Sequence, residues 1–335
     1  MEILFKDRDS GSVPRILLTR KRQNLSFRDF ATPLVLIILG IGFSATAPNF
    51  GSYDNFTNIF GQVAVIGVIA CGMTLVMLVG GIDLSVGSVA LLSASIAATL
   101  ISHKIVPTFL AILIAILAGA LIGMLNGLLV ESAGINPVIA TLGTLIAVRG
   151  LAQVILLTNK SSITLEEGFL MHFADSRIVG IPAIALVMFA TFLIGIFVLY
   201  RFIYGRYIYA VGMNPIAAGL CGIRVGLLRG STYVIVGALA GLAGILLAAQ
   251  VGVVTPPLGL NLEFVAITAV ILGGTAITGG IGRIEGTLLG TILLGMILNY
   301  MTIRGIAGEW QQAVTGFIIL LIATLDHIVR RKSGA

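Results

Sequence analysis

The chain has 335 residues, 58% of them hydrophobic and 10% charged, with a formal net charge of +6 and a mean hydropathy of +1.10. Soluble globular chains run at about 25% charged and roughly 45–50% apolar, so a water-soluble enzyme is excluded. The 42 glycines follow no G-X-Y period and are separated by Leu, Ile, Val and Ala, which excludes a collagen-like or disordered chain and leaves a polytopic membrane protein.

A helix rising about 1.5 Å per residue needs about 20 apolar residues to cross a hydrocarbon core roughly 30 Å thick. Runs near that length lie at 31–47, 59–80, 86–101, 108–130, 137–157, 181–200, 231–250, 264–279, 286–303 and 311–325. The expectation is an all-α protein of ten spans, with 86–101 and 264–279 short enough to be re-entrant or tilted. Residues 1–30 carry seven basic and four acidic side chains ahead of the first run, and so read as a cytoplasmic arm rather than a secretory signal peptide. The membrane domain then covers 31–326, with a long cytoplasmic connector at 201–230 and a cytoplasmic tail at 327–335.

Basic residues decide orientation, because short cytoplasmic loops collect Lys and Arg. With the N-terminus inside, the inner side receives Lys6, Arg8, Arg15, Arg20, Lys21, Arg22 and Arg28, then Arg201, Arg206, Arg224, Arg229 and Arg283, then Arg330, Arg331 and Lys332. The outer side receives Lys104, Lys160, Arg177 and Arg304, and Arg149 falls inside a span. Both termini are therefore expected in the cytoplasm. The net positive charge reflects this topology and lipid contact, and no nucleic-acid partner is expected.

Two segment pairs match at an offset of about 170 residues: Gly67–Gly72 with Gly237–Leu242, and Gly119–Met124 with Gly290–Gly295. They relate span 2 to span 7 and span 4 to span 9, which cross in opposite senses, as in the inverted repeats of transporters. A further likeness, GGIDLSVG at 80–87 with GGIGRIEG at 279–286, has an offset of 199 and does not fit that repeat.

Most glycines, such as Gly119, Gly123 and Gly127 or Gly237, Gly241 and Gly244, make small faces on which helices approach closely. GGIDLSVG differs, because a glycine pair and an acid interrupt an apolar stretch, and irregular backbone survives at membrane depth only inside protein or along a water-filled cavity. Asp83 there either caps the next helix, accepting N–H groups near Ser85 and Val86, or lines a polar route; the cap is the favoured reading. Arg149 lies near the middle of 136–158, where a charge costs about 2.5–3.5 kcal/mol, so it needs a carbonyl or acidic partner such as Asp83 or Glu263. Asn126 and Thr275, with Thr278 and the pairs Gly273–Gly274 and Gly279–Gly280, add polar interruptions. No catalytic constellation, cofactor motif or metal-ligand spacing is present: His103, His172 and His327 are scattered, and Cys71 and Cys221 have no partners.

The chain has no P-loop and no Gly-Lys dipeptide, so an ATP-driven process would require a separate ATPase subunit. The surface for it is the 201–230 connector. Gly205, Arg206 and Gly212 precede Asn214, which is placed to cap a short helix with Pro215 at its first position, Ala217 and Ala218 in its body and Gly222 at its end.

The stretches GGIDLSVGSV (80–89), NPVIATLGTLIAVRGLA (136–152), YGRYIYAVGMNPIAAGLCGI (204–223), ILGGTAITGGIGRIEGTLLG (271–290) and WQQAVTGFIILLIATLD (310–326) resemble, in the usual order, the permease subunits of bacterial ABC sugar importers, the group that includes ribose, xylose, galactose and autoinducer-2 systems. The resemblance implies a non-catalytic subunit of the inner membrane. It would pair with a second copy or paralogue, cytoplasmic ATPase domains docked at 205–223, and a periplasmic or surface sugar-binding protein, for which 159–180 with Lys160, Glu166, Glu167, Asp175 and Arg177 is the candidate surface. The chain departs from the family pattern at Val265, where an acidic residue is usual, at Met213 and at Cys221, which bears on the cargo more than on the class. The alternative reading is an ion-coupled secondary transporter with broken helices.

Overall fold

The computed structural model describes residues 27–165 and 168–333. In chain order the elements are α1 (Phe27–Thr46), α2 (Tyr53–Leu78), α3 (Val86–Ser102), α4 (Thr108–Glu131), α5 (Pro137–Thr158), β1 (Ile163–Thr164), α6 (Phe169–Asp175), β2 (Arg177–Ile178), β3 (Ile181–Pro182), α7 (Ala183–Arg201), α8 (Ile203–Met213), α9 (Pro215–Leu220), α10 (Val225–Val251), β4 (Val253–Val254), α11 (Leu262–Leu272), α12 (Ile284–Ile303) and α13 (Gly308–Ser333). The arm up to residue 26, Glu166, Glu167 and residues 334–335 lie outside the described residues.

Each of the ten apolar runs falls on a helix, and the chain is a polytopic helical membrane protein. Among the described residues, α2, α4, α5, α7, α10 and α12 are long and apolar enough to cross a membrane, whereas α3, α11 and the apolar part of α1 are shorter. The expected helix over 264–279 stops at Leu272, because Gly274, Gly279 and Gly280 take left-handed φ of 87°, 87° and 74° that end helical hydrogen bonding. The 11 residues of α11 span about 16 Å, roughly half a hydrocarbon core. The connector at 201–230 is likewise not an open loop: it holds α8, α9 and the first turns of α10.

Local chemistry sets several helix starts. Asn136 and Asn214 use the same device, each accepting a backbone N–H with its side-chain oxygen (from Val138 at 2.9 Å and from Ala217 at 3.0 Å) while a proline occupies the first helical position. Ser52 caps α2 by accepting from Asn55 at 3.2 Å.

Helix α2 is apolar all round and buried along most of its length, and it forms the centre on which α7, α10, α11 and α12 pack. The α4–α10 pair crosses through glycine: a Cβ on Gly119 would meet the Gly237 carbonyl, one on Gly123 the Tyr233 carbonyl, and one on Gly127 the Gly230 backbone at 3.0 Å. Backbones meet there with almost nothing between them, which supplies dispersion contact where lipid cancels the hydrophobic drive.

The packing is preserved when α2–α5 are exchanged with α10–α13. The pair α4–α10 maps onto α12–α2, α3–α4 onto α11–α12, α3–α10 onto α11–α2, α3–α5 onto α11–α13, and α4–α5 onto α12–α13, and all of these pairs are in contact. Helices α1 and α7 do not follow the exchange: α1 packs on α12, and α7 on α2 and α12. At one end of the bundle β1 pairs antiparallel with β4, Ile163 opposite Val254, and β2 with β3, Arg177 opposite Pro182. Helices α8 and α9 occupy the other end.

Candidate translocation and coupling site

Five of the candidate polar residues, Asp83, Ser85, Asn126, Arg149 and Glu263, form two clusters on either side of the start of α3. In the first, the Asp83 carboxylate accepts from the Ser85 backbone N–H at 2.8 Å, the Ser85 hydroxyl at 2.7 Å and the Asn126 side-chain amide at 3.3 Å. Asn126 also donates to the Ser85 hydroxyl at 2.9 Å, and all three residues are buried. The only backbone N–H that Asp83 accepts is that of Ser85, the residue ahead of α3, so the carboxylate holds the turn before the helix and does not cap the helix's own N–H groups as expected, while Asn126, projecting from α4, ties α4 to the Gly-rich turn.

In the second cluster the Arg149 guanidinium donates to the Ser88 hydroxyl at 3.3 Å and to the carbonyls of Pro256 at 3.2 Å and Gly259 at 3.4 Å. Of its two candidate acidic partners, Glu263 shares this neighbourhood and interacts with Arg149 through its charge, whereas Asp83 belongs to the first cluster. The Glu263 carboxylate is buried against Gly87, where a Cβ would collide with both Glu263 Oε2 and the Gly259 carbonyl. Thr275 stands apart from both, buried under Gly282.

The two similar segments 80–87 and 279–286 meet in space. Gly280 donates its N–H to the Leu78 carbonyl at 2.8 Å, and a Cβ on Gly279 would lie 2.8 Å from the Gly80 nitrogen. Gly212, at the end of α8, closes the junction: its Cβ would collide with the Leu78 carbonyl and lie 2.5 Å from the Gly280 nitrogen. The Tyr209 hydroxyl donates to the Gly282 carbonyl at 2.9 Å. Burial, with the nearby Glu285 carboxylate adding to it, pushes that hydroxyl up to about 12, so it keeps its proton and the bond throughout the physiological range. Helix α8 is thereby fastened backbone to backbone onto both Gly-rich turns.

Gly205 is buried against the Leu199 carbonyl, Arg206 is exposed, and Gly222, with φ of 84°, follows α9 and ends it. Within α9, Ala217 faces outward and Ala218 is buried. The side chains that protrude farthest are Met213, Ile216 and Leu220, at 76%, 77% and 86% exposure. The residues singled out in the connector were small and capping ones, with Met213 noted only as a departure from the family pattern; apolar residues spaced three and four apart from 213 to 220 were the available signal for this face. Also missed were Tyr233 and Glu131, which close a cavity beside Gly80. The i, i+4 spacing of Arg229 and Tyr233 pointed to a shared face of α10. Among the described residues no group of three or more His, Cys, Asp or Glu could hold a metal ion.

The sequence that carries these turns and helices is similar to those of known proteins. Residues 55–323 match the family described as branched-chain amino acid transport system / permease component. The chain is 41% identical over 304 residues to the ribose import permease protein RbsC of Bacillus subtilis (strain 168), covering 90% of this chain and 92% of the relative. The chain is a permease subunit of the bacterial ABC sugar importer family. It is 37% identical over 300 residues to RbsC of Escherichia coli (strain K12), covering 88% and 92% of the two chains. With the D-allose transport system permease protein AlsC of the same strain it shares 35% identity over 303 residues, covering 90% and 92%. No solved structure matches the chain significantly. The matched region takes in both polar clusters and the α8–α9 clamp, so these elements lie within the shared permease domain.

Proposed function

We propose that this permease forms the translocation path of an ATP-driven importer in the bacterial inner membrane and carries an aldose, the class to which the cargoes named for its relatives, ribose and D-allose, belong. In this reading the chain crosses the membrane ten times with both termini in the cytoplasm, hydrolyses nothing itself, and works with a second permease copy or paralogue, cytoplasmic ATPase subunits and an external sugar-binding protein received near 159–180. The single observation that carries it is the seat of α8 and α9. Helix α9 offers Ile216 and Leu220 outward, while Gly212 joins α8 to Leu78 and Gly280, the ends of the two turns that lead into α3 and α12. A push at α9 therefore reaches the backbone beside Asp83 and Thr275 with no flexible side chain between. The exchange of α2–α5 with α10–α13 supports an inverted repeat, whose halves rock to alternate access.

The test is uptake of labelled D-ribose and D-allose into liposomes holding the permease with its co-expressed ATPase. Import is expected only with ATP on the α9 side and the binding protein on the other. Uptake by the permease alone under an ion gradient would refute the proposal and establish the secondary-transporter alternative.

A further inference from the structure

A cavity of about 250 Å³ opens at the α8–α9 end of the bundle, between the turn after α2, the end of α4 and the first turns of α10. Its polar wall consists of Gly80, Gly81, Glu131, Asn136, Arg229 and Tyr233. Ligand clefts run at roughly 300–1,000 Å³, so this volume suits one sugar ring and not an oligosaccharide.

Two of the residues that line this cavity, Arg229 and Tyr233, carry a buried side-chain donor that is given to no acceptor: Nε of Arg229 and the hydroxyl of Tyr233, whose oxygen faces the Ile82 backbone N–H. Tyr233 is only 1% exposed, and its hydroxyl lies over Gly81, where a Cβ would sit 2.6 Å away. A buried donor left unpaired is costly and is retained where something else completes it. Glu131 supplies acceptors opposite, 3.9 Å from Arg229, a separation too long for a tight pair. Glu131 and Arg229 are the two charged residues of the lining, and they cancel. Unspent donors and a loosely paired carboxylate around one cavity with no net charge fit a neutral polyhydroxyl compound. They offer an anion no net attraction, because Glu131 offsets Arg229.

We propose that this cavity is an inner, low-affinity sugar site, occupied on the way to the cytoplasm, with Tyr233 and Arg229 donating to sugar hydroxyls and Glu131 accepting from them. The proposal rests on the importer reading above. Its wall at Gly80 is the same turn that Gly279, Gly280 and Gly212 clamp, so a displacement of α8 changes the site's shape directly. Release of cargo is thereby tied to the ATPase-facing helices.

The experiment titrates D-ribose and D-allose, by ligand-observed NMR, onto the purified permease–ATPase complex in nanodiscs with no binding protein present. Saturable weak binding is expected, with Tyr233→Phe and Arg229→Gln each weakening it about threefold to tenfold, the loss of one hydrogen bond. Co-purification of the ATPase with Tyr233→Phe verifies that the variant is folded. Equal affinity in wild type and both variants, an absence of binding, or displacement of the sugar by an equal concentration of inorganic phosphate would each overturn the site. Uptake by the full importer without sugar binding here removes the site and keeps the function; binding here without ATP-driven uptake removes the function and keeps the site.

Discussion

Asp83 is an acid whose hydrogen-bond partners are all neutral: the Ser85 N–H and hydroxyl and the Asn126 amide. The arrangement works because each donor is already positioned by its helix, Ser85 at the start of α3 and Asn126 on α4. Replacing Asp83 with Ala strands buried donors on both helices, at about 1–3 kcal/mol for each one orphaned. Asn126→Ala removes part of the same network, so the double variant is expected to lose less than the sum of the singles, with an interaction of about 0.5–3 kcal/mol. Thermal unfolding of the four proteins in detergent measures this, and strictly additive losses would show that the three side chains do not act together. The motif's oddity was legible in the sequence, since a Gly-Gly-Ile-Asp break in apolar surroundings demands a local explanation. Its partner on α4 was not: Asn126 lies on the Gly119, Gly123 and Gly127 face that the sequence marks for close packing, but nothing pairs that face with Asp83 across a separation of 43 positions. Arg149 makes the same point: two of its partners are backbone carbonyls of Pro256 and Gly259, which no side-chain pattern advertises.

Helices whose ends are decided by their own residues could be read directly, and those decided by neighbours could not. Asn-Pro starts α5 and α9 wherever it occurs, by side-chain capping and a preset φ, so both starts were foreseeable. Helix α8 was hidden because Gly205 and Gly212 resemble loop residues; each is glycine because another backbone lies against it. This separates two kinds of variant in the coupling element. Ile216→Ala and Leu220→Ala trim the exposed face of α9 and should each weaken ATPase capture by roughly tenfold if the loss is near 1.4 kcal/mol, read by pull-down at graded ATPase concentration. Gly212→Ala leaves that face intact but forces α8 away from Leu78 and Gly280, an overpacking cost of about 1–3 kcal/mol. Its expected phenotype is an ATPase that still binds and hydrolyses ATP while sugar uptake falls. Normal uptake by Gly212→Ala would mean that force does not pass through this junction. Ala218, buried beneath α9, belongs with Gly212: a bulky residue there lifts the helix rather than altering what a partner touches.

At the scale of the whole molecule, orientation determines which end meets ATP, and two native cysteines report it. Arg201, Arg206, Arg224, Arg229 and Arg283 gather at the end that carries α8 and α9, while Lys104, Lys160, Arg177 and Arg304 lie at the other, where Arg304 holds the Thr46 carbonyl at 3.2 Å and Arg177 the Asn58 side chain at 2.7 Å. Between α1 and α13 the two ends thus carry five arginines against two lysines and two arginines, and basic side chains collect on the cytoplasmic side of short loops. Cys221, at the end of α9, is exposed, whereas Cys71 is buried in α2 against α7. A membrane-impermeant maleimide should therefore leave intact cells unlabelled and add a single label, at Cys221, in inside-out vesicles. A Lys104→Cys variant should show the reverse for its added thiol, because that residue sits in the turn between α3 and α4 at the opposite end. Cys221→Ser, which changes one atom of an exposed side chain, should abolish the inside-out signal without loss of transport and so assign the label. Labelling of Cys221 in intact cells would invert the bundle, move α9 to the external face and leave the ATPase nothing to grip.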